Sequence, residues 1–311
     1  MPGISFYLCP GKFNFVDFLV YLLFRAFIAL FRLMPFPVAF LFSDLVYLVT
    51  YRIMGYRKKV VFTNLRKSLP GKTEDEYRKI ARAFYHHLGD MLVESMKSFT
   101  MTEAQIVERY KYIRTEELNQ CYREGRGTIC VAGHYANWEW GGIASGTQLL
   151  HKPVGFYKPM TNKYVDAYTQ RTRVQGRSAL VSITDTRAVF ETDWGEPAVF
   201  YMIADQSPTT HRLAHWVTFL NQDTAVLHGP EKYARVLNLP VFYAWIKPVK
   251  RGYYTVDFIP LSLEPKTTKT GEISALFMKT LEDQIKEDPR YYLWSHRRWK
   301  IQKPEPKQVA R

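Results

Sequence analysis

The chain is 311 residues long, 47% hydrophobic, 15% aromatic and 23% charged. That composition can bury a sizeable core, and it excludes a disordered, collagen-like or disulfide-stapled chain. Lys and Arg outnumber Asp and Glu by 43 to 29, and the resulting net charge of +14 favours an anionic partner: a membrane surface, a phosphorylated substrate or nucleic acid.

In chain order, residues 13–33 (FNFVDFLVYLLFRAFIALFRL) come first. The segment matches the roughly 20 residues that cross a bilayer as a helix, but Asp17, Arg25 and Arg32 interrupt it. At about 100° per residue, these three charges and Tyr21 share one narrow stripe. The helix is expected to rest that stripe on protein or headgroups and give the remainder to lipid, spanning or lying in the interface. A buried core helix is the alternative. A cleaved signal peptide fits poorly, because no small-residue cleavage site follows and a second apolar stretch, 35–51, comes directly after. Arg52, Arg57, Lys58, Lys59, Arg66 and Lys67 then cluster where a juxtamembrane cytoplasmic segment carries them.

Thr73 and Glu76 form a capping box that opens a helix predicted over 73–98. From about 127 the texture changes. Strands are predicted at 127–133, 152–157, 197–204, 239–246 and 253–261, with helices at 137–150, 162–174, 185–193, 226–238 and 270–287. Such alternation predicts an α/β fold with a mostly parallel central sheet flanked by helices. The expected organisation is a membrane-attaching helical segment over 1–55, then a helical region packed on the catalytic part over 56–124. An α/β catalytic domain over 125–302 and a loose tail over 303–311 follow. The three cysteines, Cys9, Cys121 and Cys130, are too few and scattered for a disulfide framework, which suits a reducing compartment.

The most informative stretch is AGHYANWEWGG, residues 132–142, directly after a predicted strand. Catalytic groups in open α/β sheets gather at the C-terminal ends of strands. His134 and Glu139 are five apart, so they would diverge on one helix. His134 is better placed in the turn, with Glu139 in the first helical turn, from where its carboxylate could reach back to the imidazole. That pairing fixes the tautomer and leaves the other ring nitrogen to take a proton. The plainer alternative is a turn histidine and a carboxylate favoured by the helix dipole.

Glycine followed by His134-x4-Glu139 resembles the H-x4-D/E motif of glycerolipid acyltransferases, and within them the late acyltransferases of lipid A biosynthesis, the lauroyl and myristoyl transferase family. Other blocks follow in that family's order. They are YRKKVVFTNLRKSLP at 56–70, Tyr157-Lys158-Pro159 with Asn162, Asp166, Arg173 and Gly176, then Ala204-Asp205-Gln206, and LWSHRRWK at 293–300. The resemblance covers roughly residues 12–302. Ser207 and Pro208 stand where many members carry a second Asp and a Gly.

The resemblance implies transfer of a fatty acyl chain from an acyl carrier protein thioester to a hydroxyl of a lipid A precursor, without a cofactor. The site would lie on the cytoplasmic side of the inner membrane of a Gram-negative cell. Coenzyme A as donor, or another membrane lipid as acceptor, is the alternative. His134 would be the general base and Glu139 its orienting partner. Arg173 would stabilise the oxyanion, although an ordinary surface arginine is the alternative and Arg171 and Arg177 are close enough to compete; Asp205 would orient Arg173 or the substrate, although an N-cap or loop aspartate fits equally. Asn162 would bind substrate, although it also suits a helix cap. Arg297 and Arg298 would clamp a phosphate or the carrier protein, although a structural closing segment fits equally.

Three rivals compete. A zinc hydrolase would use His211 and His215, four apart, with His86 and His87 adding imidazole. However, Pro208 and Thr209-Thr210 place His211 in a loop and no Glu follows it, so no metal is expected. A nucleic-acid-binding protein lacks any recognition helix, zinc finger or aromatic RNA-binding strand pair, so no nucleic acid partner is expected. A non-catalytic membrane scaffold is the third.

Overall fold

The computed structural model describes residues 14–174, 176–208 and 214–303. Helices α1 (Phe15–Leu33) and α2 (Phe36–Tyr47) lead, and a π-helical stretch, Leu48–Ile53, continues α2. Next come α3 (Lys58–Ser68), α4 (Glu74–Ser98) and α5 (Glu103–Arg109). The α/β part begins with β1 (Tyr110–Ile113) and α6 (Glu116–Arg123). It continues through β2 (Thr128–Ala132), α7 (Glu139–Gln148), β3 (Lys152–Tyr157), α8 (Lys163–Arg173), β4 (Ala179–Ser182), α9 (Thr186–Glu191) and β5 (Ala198–Ile203). A hairpin, β6 (Ala214–Phe219) and β7 (Gln222–Leu227), precedes α10 (Gly229–Leu237), β8 (Val241–Lys250), β9 (Tyr253–Ser262) and α11 (Glu272–Glu287).

Seven strands make one sheet in the order β1-β9-β8-β2-β5-β3-β4. The run from β8 to β4 is parallel. β9 is antiparallel to β8 and carries β1 parallel to itself. The fold is therefore α/β with a mostly parallel sheet flanked by helices, as the alternation predicts. β2 (TICVA) is buried along its whole length, as a strand covered on both faces must be. Its neighbours in the core include Trp140 from α7, Leu281 from α11 and Phe84 and Tyr85 from α4, so the helices before residue 110 share one core with the sheet.

The capping box forms. Thr73 Oγ1 accepts from the Glu76 amide, and Glu76 accepts from the Thr73 amide at 2.7 Å. On α1 the charged stripe lies against α8: Tyr21 and Arg25 pack on Tyr168, and Asp17 O accepts from Asn162 Nδ2 at 2.7 Å. Leu23, Leu30 and Leu33 of α1 are exposed, as are Leu41, Leu45 and Leu48 of α2 and its extension. By length and composition Phe36–Ile53 is apolar enough to cross a membrane, with 22% of it buried. Within α1 the three charges break the apolar run.

The turn between β8 and β9 fastens this helical region to the sheet. Arg251 donates to Asp44 Oδ1 and Asp90 Oδ1, each at 2.6 Å, and to Phe40 O at 3.3 Å. Gly252 follows at φ +74°, and a Cβ there would sit 2.7 Å from the Phe40 ring, so glycine alone fits.

Candidate active site

β2 and β5 are parallel neighbours with Ala132 opposite Ile203, and the ladder runs on as Ala204 N donates to Ala132 O at 3.1 Å. His134 and Asp205 each stand two residues beyond that last pair. Strand pairing thus carries both to the same point of the sheet's C-terminal edge. The turn between β2 and α7 is shaped by close packing. A Cβ on Gly133 would meet Leu281 of α11 at 2.6 Å. The segment after α11 latches the same turn, through Ala136 N to Tyr291 O at 3.0 Å and Leu293 N to His134 O at 3.1 Å.

His134 Nδ1 lies 2.5 Å from Asp205 Oδ1, and Nε2 lies 2.9 Å from the Gln206 amide nitrogen. The partner of the imidazole is therefore Asp205. The expectation that Glu139 reaches back to it is corrected: Glu139 accepts from Arg173 Nη2 at 3.0 Å. The physical reason is that α7 starts at Glu139, and its carboxylate meets the last residue of α8, where Arg173 lies over the Phe99 ring at 5.4 Å. Two ion pairs result, with Trp138 packed edge-on against His134 at 4.8 Å.

Asp205 is buried, with its side chain 3% exposed against 15% for His134. Burial works against its charge. The adjacent His134, by charge and hydrogen bond, and the Arg298 guanidinium nonetheless hold its carboxyl below the usual carboxylate range. A carboxylate so held keeps the proton on Nδ1 and leaves Nε2 as the acceptor, the nitrogen on which Gln206 now donates. His296 belongs to the same neighbourhood. Burial pushes its imidazole down, against the opposing charge of Asp205.

The other expected residues separate by environment. Asn162 is the N-cap of α8: its Oδ1 accepts from the Tyr164 and Val165 amides at 3.1 Å, and its amide holds α1. Its polar atoms are used by the fold, as the helix-cap alternative has it. Arg298 is 2% exposed and donates to Ala225 O at 2.7 Å, whereas Arg297 is exposed. The two arginines thus differ in environment, and the charge of Arg298 faces Asp205, an arrangement that fits the structural alternative for this segment. His215 stands on β6, a strand and not a helix face, and His211 lies outside the described residues.

Two neighbours of the site are given no role by the sequence. Gln206, quoted there only within the 204–206 block, is one. The other is Glu94 of α4, fully buried under the turn. It accepts from Asn137 Nδ2 at 2.6 Å and from Tyr254 Oη at 2.8 Å, while its carbonyl accepts from Trp140 Nε1 at 3.2 Å. A glutamate inside the apolar run MLVESM at 91–96 is the signal that was present.

The sequence profile described as bacterial lipid A biosynthesis acyltransferase matches residues 12–301. The chain is 24% identical to a lipid A biosynthesis lauroyltransferase of Escherichia coli (strain K12), with 88% of each chain covered. It is 21% identical to a lipid A biosynthesis palmitoleoyltransferase of the same organism, with 86% of each covered. A lipid A biosynthesis acyltransferase of Haemophilus influenzae (strain ATCC 51907 / DSM 11121 / KW20 / Rd) is 22% identical, over 80% of this chain and 79% of that one.

Proposed function

The chain belongs to the bacterial lipid A biosynthesis acyltransferase family and is an acyltransferase, and from that premise we propose that it moves a fatty acyl chain from an acyl carrier protein thioester to a hydroxyl of a lipid A precursor. The single observation that carries the mechanism is the Asp205–His134 pair at 2.5 Å at the sheet's C-terminal edge.

An alcohol is a weak nucleophile at neutral pH and needs a base within hydrogen-bond reach. His134 Nε2 takes the hydroxyl proton as the oxygen attacks the thioester carbonyl. Asp205 holds the ring in the right tautomer and balances the imidazolium. The acceptor hydroxyl occupies the place where Gln206 now donates, so the glutamine side chain yields to substrate. The tetrahedral intermediate places negative charge on the former carbonyl oxygen. Arg173, oriented by Glu139, supplies a donor to it. Collapse expels the carrier thiolate, which recovers the proton from His134. A net charge of +14 suits both an acidic carrier and a phosphorylated acceptor. The exposed apolar faces of α1 and α2 support attachment to the cytoplasmic side of the inner membrane.

The test is acyl transfer by the purified full chain from acyl carrier protein thioester to a lipid A precursor, read by mass spectrometry. His134→Ala is expected to lower the rate by about 10²–10⁴-fold, and Asp205→Asn by at least about 10²-fold, with folding retained. A fully active, folded His134→Ala chain would sink the mechanism. Transfer that proceeds only to another lipid, or only from coenzyme A, would move the acceptor or donor and keep the reaction.

A further inference from the structure

A groove of about 260 Å³ runs between α1 and the segment that follows α4, lined by Arg25, Ile28, Arg32, Phe99, Thr100 and Tyr168 among others. Its two guanidiniums are seven residues apart on α1. Among the described residues neither has a carboxylate within ion-pair distance, whereas Arg173, Arg177 and Arg251 each do. Arg25 is held in place without being neutralised: it donates to Tyr21 Oη at 2.9 Å and lies 4.7 Å over the Tyr168 ring. Arg32 sits in the last turn of α1, where an arginine commonly serves the orphan carbonyls. That task is already done by Lys97, whose Nζ donates to Phe31 O at 2.9 Å and Met34 O at 2.8 Å. Among the described residues the donors of Arg32 stay uncommitted.

We propose that this groove binds a phosphomonoester group of a membrane lipid headgroup between Arg25 and Arg32. Guanidinium forks match phosphate oxygens bidentately, and two of them without counter-ions make an anion site. Leu23 and Leu30 are exposed on the opposite side of α1, roughly 140–180° around the helix from the two arginines; with those side chains in lipid, a helix lying in the interface holds Arg25 and Arg32 at headgroup level. Its inner wall continues to the catalytic groups. Phe99 stacks on Tyr168, and the Arg173 guanidinium lies over the Phe99 ring at 5.4 Å. A phosphate held there places the rest of its lipid beside the Glu139–Arg173 pair. The assignment deepens the reading of the protein as a lipid acyltransferase and rests on it for the identity of the acceptor.

The test is equilibrium co-sedimentation of the full chain with phosphatidylcholine vesicles, plain or doped with either phosphatidic acid or a phosphorylated lipid A precursor. The wild-type chain is expected to bind doped vesicles on the order of tenfold more tightly than plain ones. Arg25→Gln/Arg32→Gln should erase that increment and leave binding to plain vesicles unchanged. Loss confined to the precursor vesicles assigns the groove to the acceptor, and loss on both assigns it to lipid phosphomonoesters at large. No increment in the wild type, an increment that survives the double substitution, or equal loss in a Lys59→Gln/Lys67→Gln control overturns the proposal. Turnover is scored separately: an inactive wild-type chain would sink the enzymatic reading, while the binding result still decides the groove.

Discussion

Glu94 accepts hydrogen bonds from Asn137 and Tyr254 beneath the turn between β2 and α7, and burial pushes its carboxyl up to about 8. A carboxyl raised above its unfolded value of 4.5 stabilises the fold fully below that value, and the contribution is lost as pH rises through about 8. The slope approaches about 1.4 kcal/mol per pH unit inside that window. Glu94→Gln keeps the side chain's size and removes its titration. Urea unfolding across the window should therefore lose this slope, and an unchanged slope would refute the role. Glu94 was hard to read from sequence because Tyr254 is 160 residues away. The residue types at the site were legible, since His134, Glu139 and Asp205 follow short apolar runs. Their pairing was not: it depends on β2 lying beside β5, and strand order is not written in local periodicity.

At the scale of elements, legibility follows local signals. The capping box of α4 and the apolar strands β2, β3 and β5 were readable because each is set within a few residues. The β6–β7 hairpin was missed because its two-residue turn is Leu220-Asn221, both at positive φ, without the glycine that usually announces such a turn. β1 and β4 are four-residue strands at the sheet edges, too short to show a period. The docking of α1 rests on another long-range feature, Lys97. Lys97→Met would leave the carbonyls of Phe31 and Met34 without their donor, at a cost of about 1–3 kcal/mol. Limited proteolysis between α1 and α2 should then accelerate with turnover of the sheet domain's core peptides unchanged. Resistance equal to the wild-type chain would show that aromatic packing on Tyr168 suffices.

For the whole molecule, the proposed membrane attachment rests on the exposed apolar side chains of α1 and α2 together with the net positive charge. Leu23→Glu/Leu30→Glu should weaken binding to neutral vesicles at least about tenfold without altering the unfolding midpoint, because both side chains are exposed. Unaltered binding would place the lipid contact elsewhere. The Arg251 joint has a mechanical consequence. β8 runs parallel to β2, so the end of β8 that carries Arg251 lies at the same sheet edge as His134 and Asp205. The edge that carries His134 and Asp205 is thus bolted to α2. With α2 in a membrane, Arg251 would act as a depth stop: how far α2 sinks would set how high the imidazole rides above the lipid. A slip of α2 by one helical turn, about 5.4 Å, would carry the imidazole out of register with a hydroxyl at fixed depth.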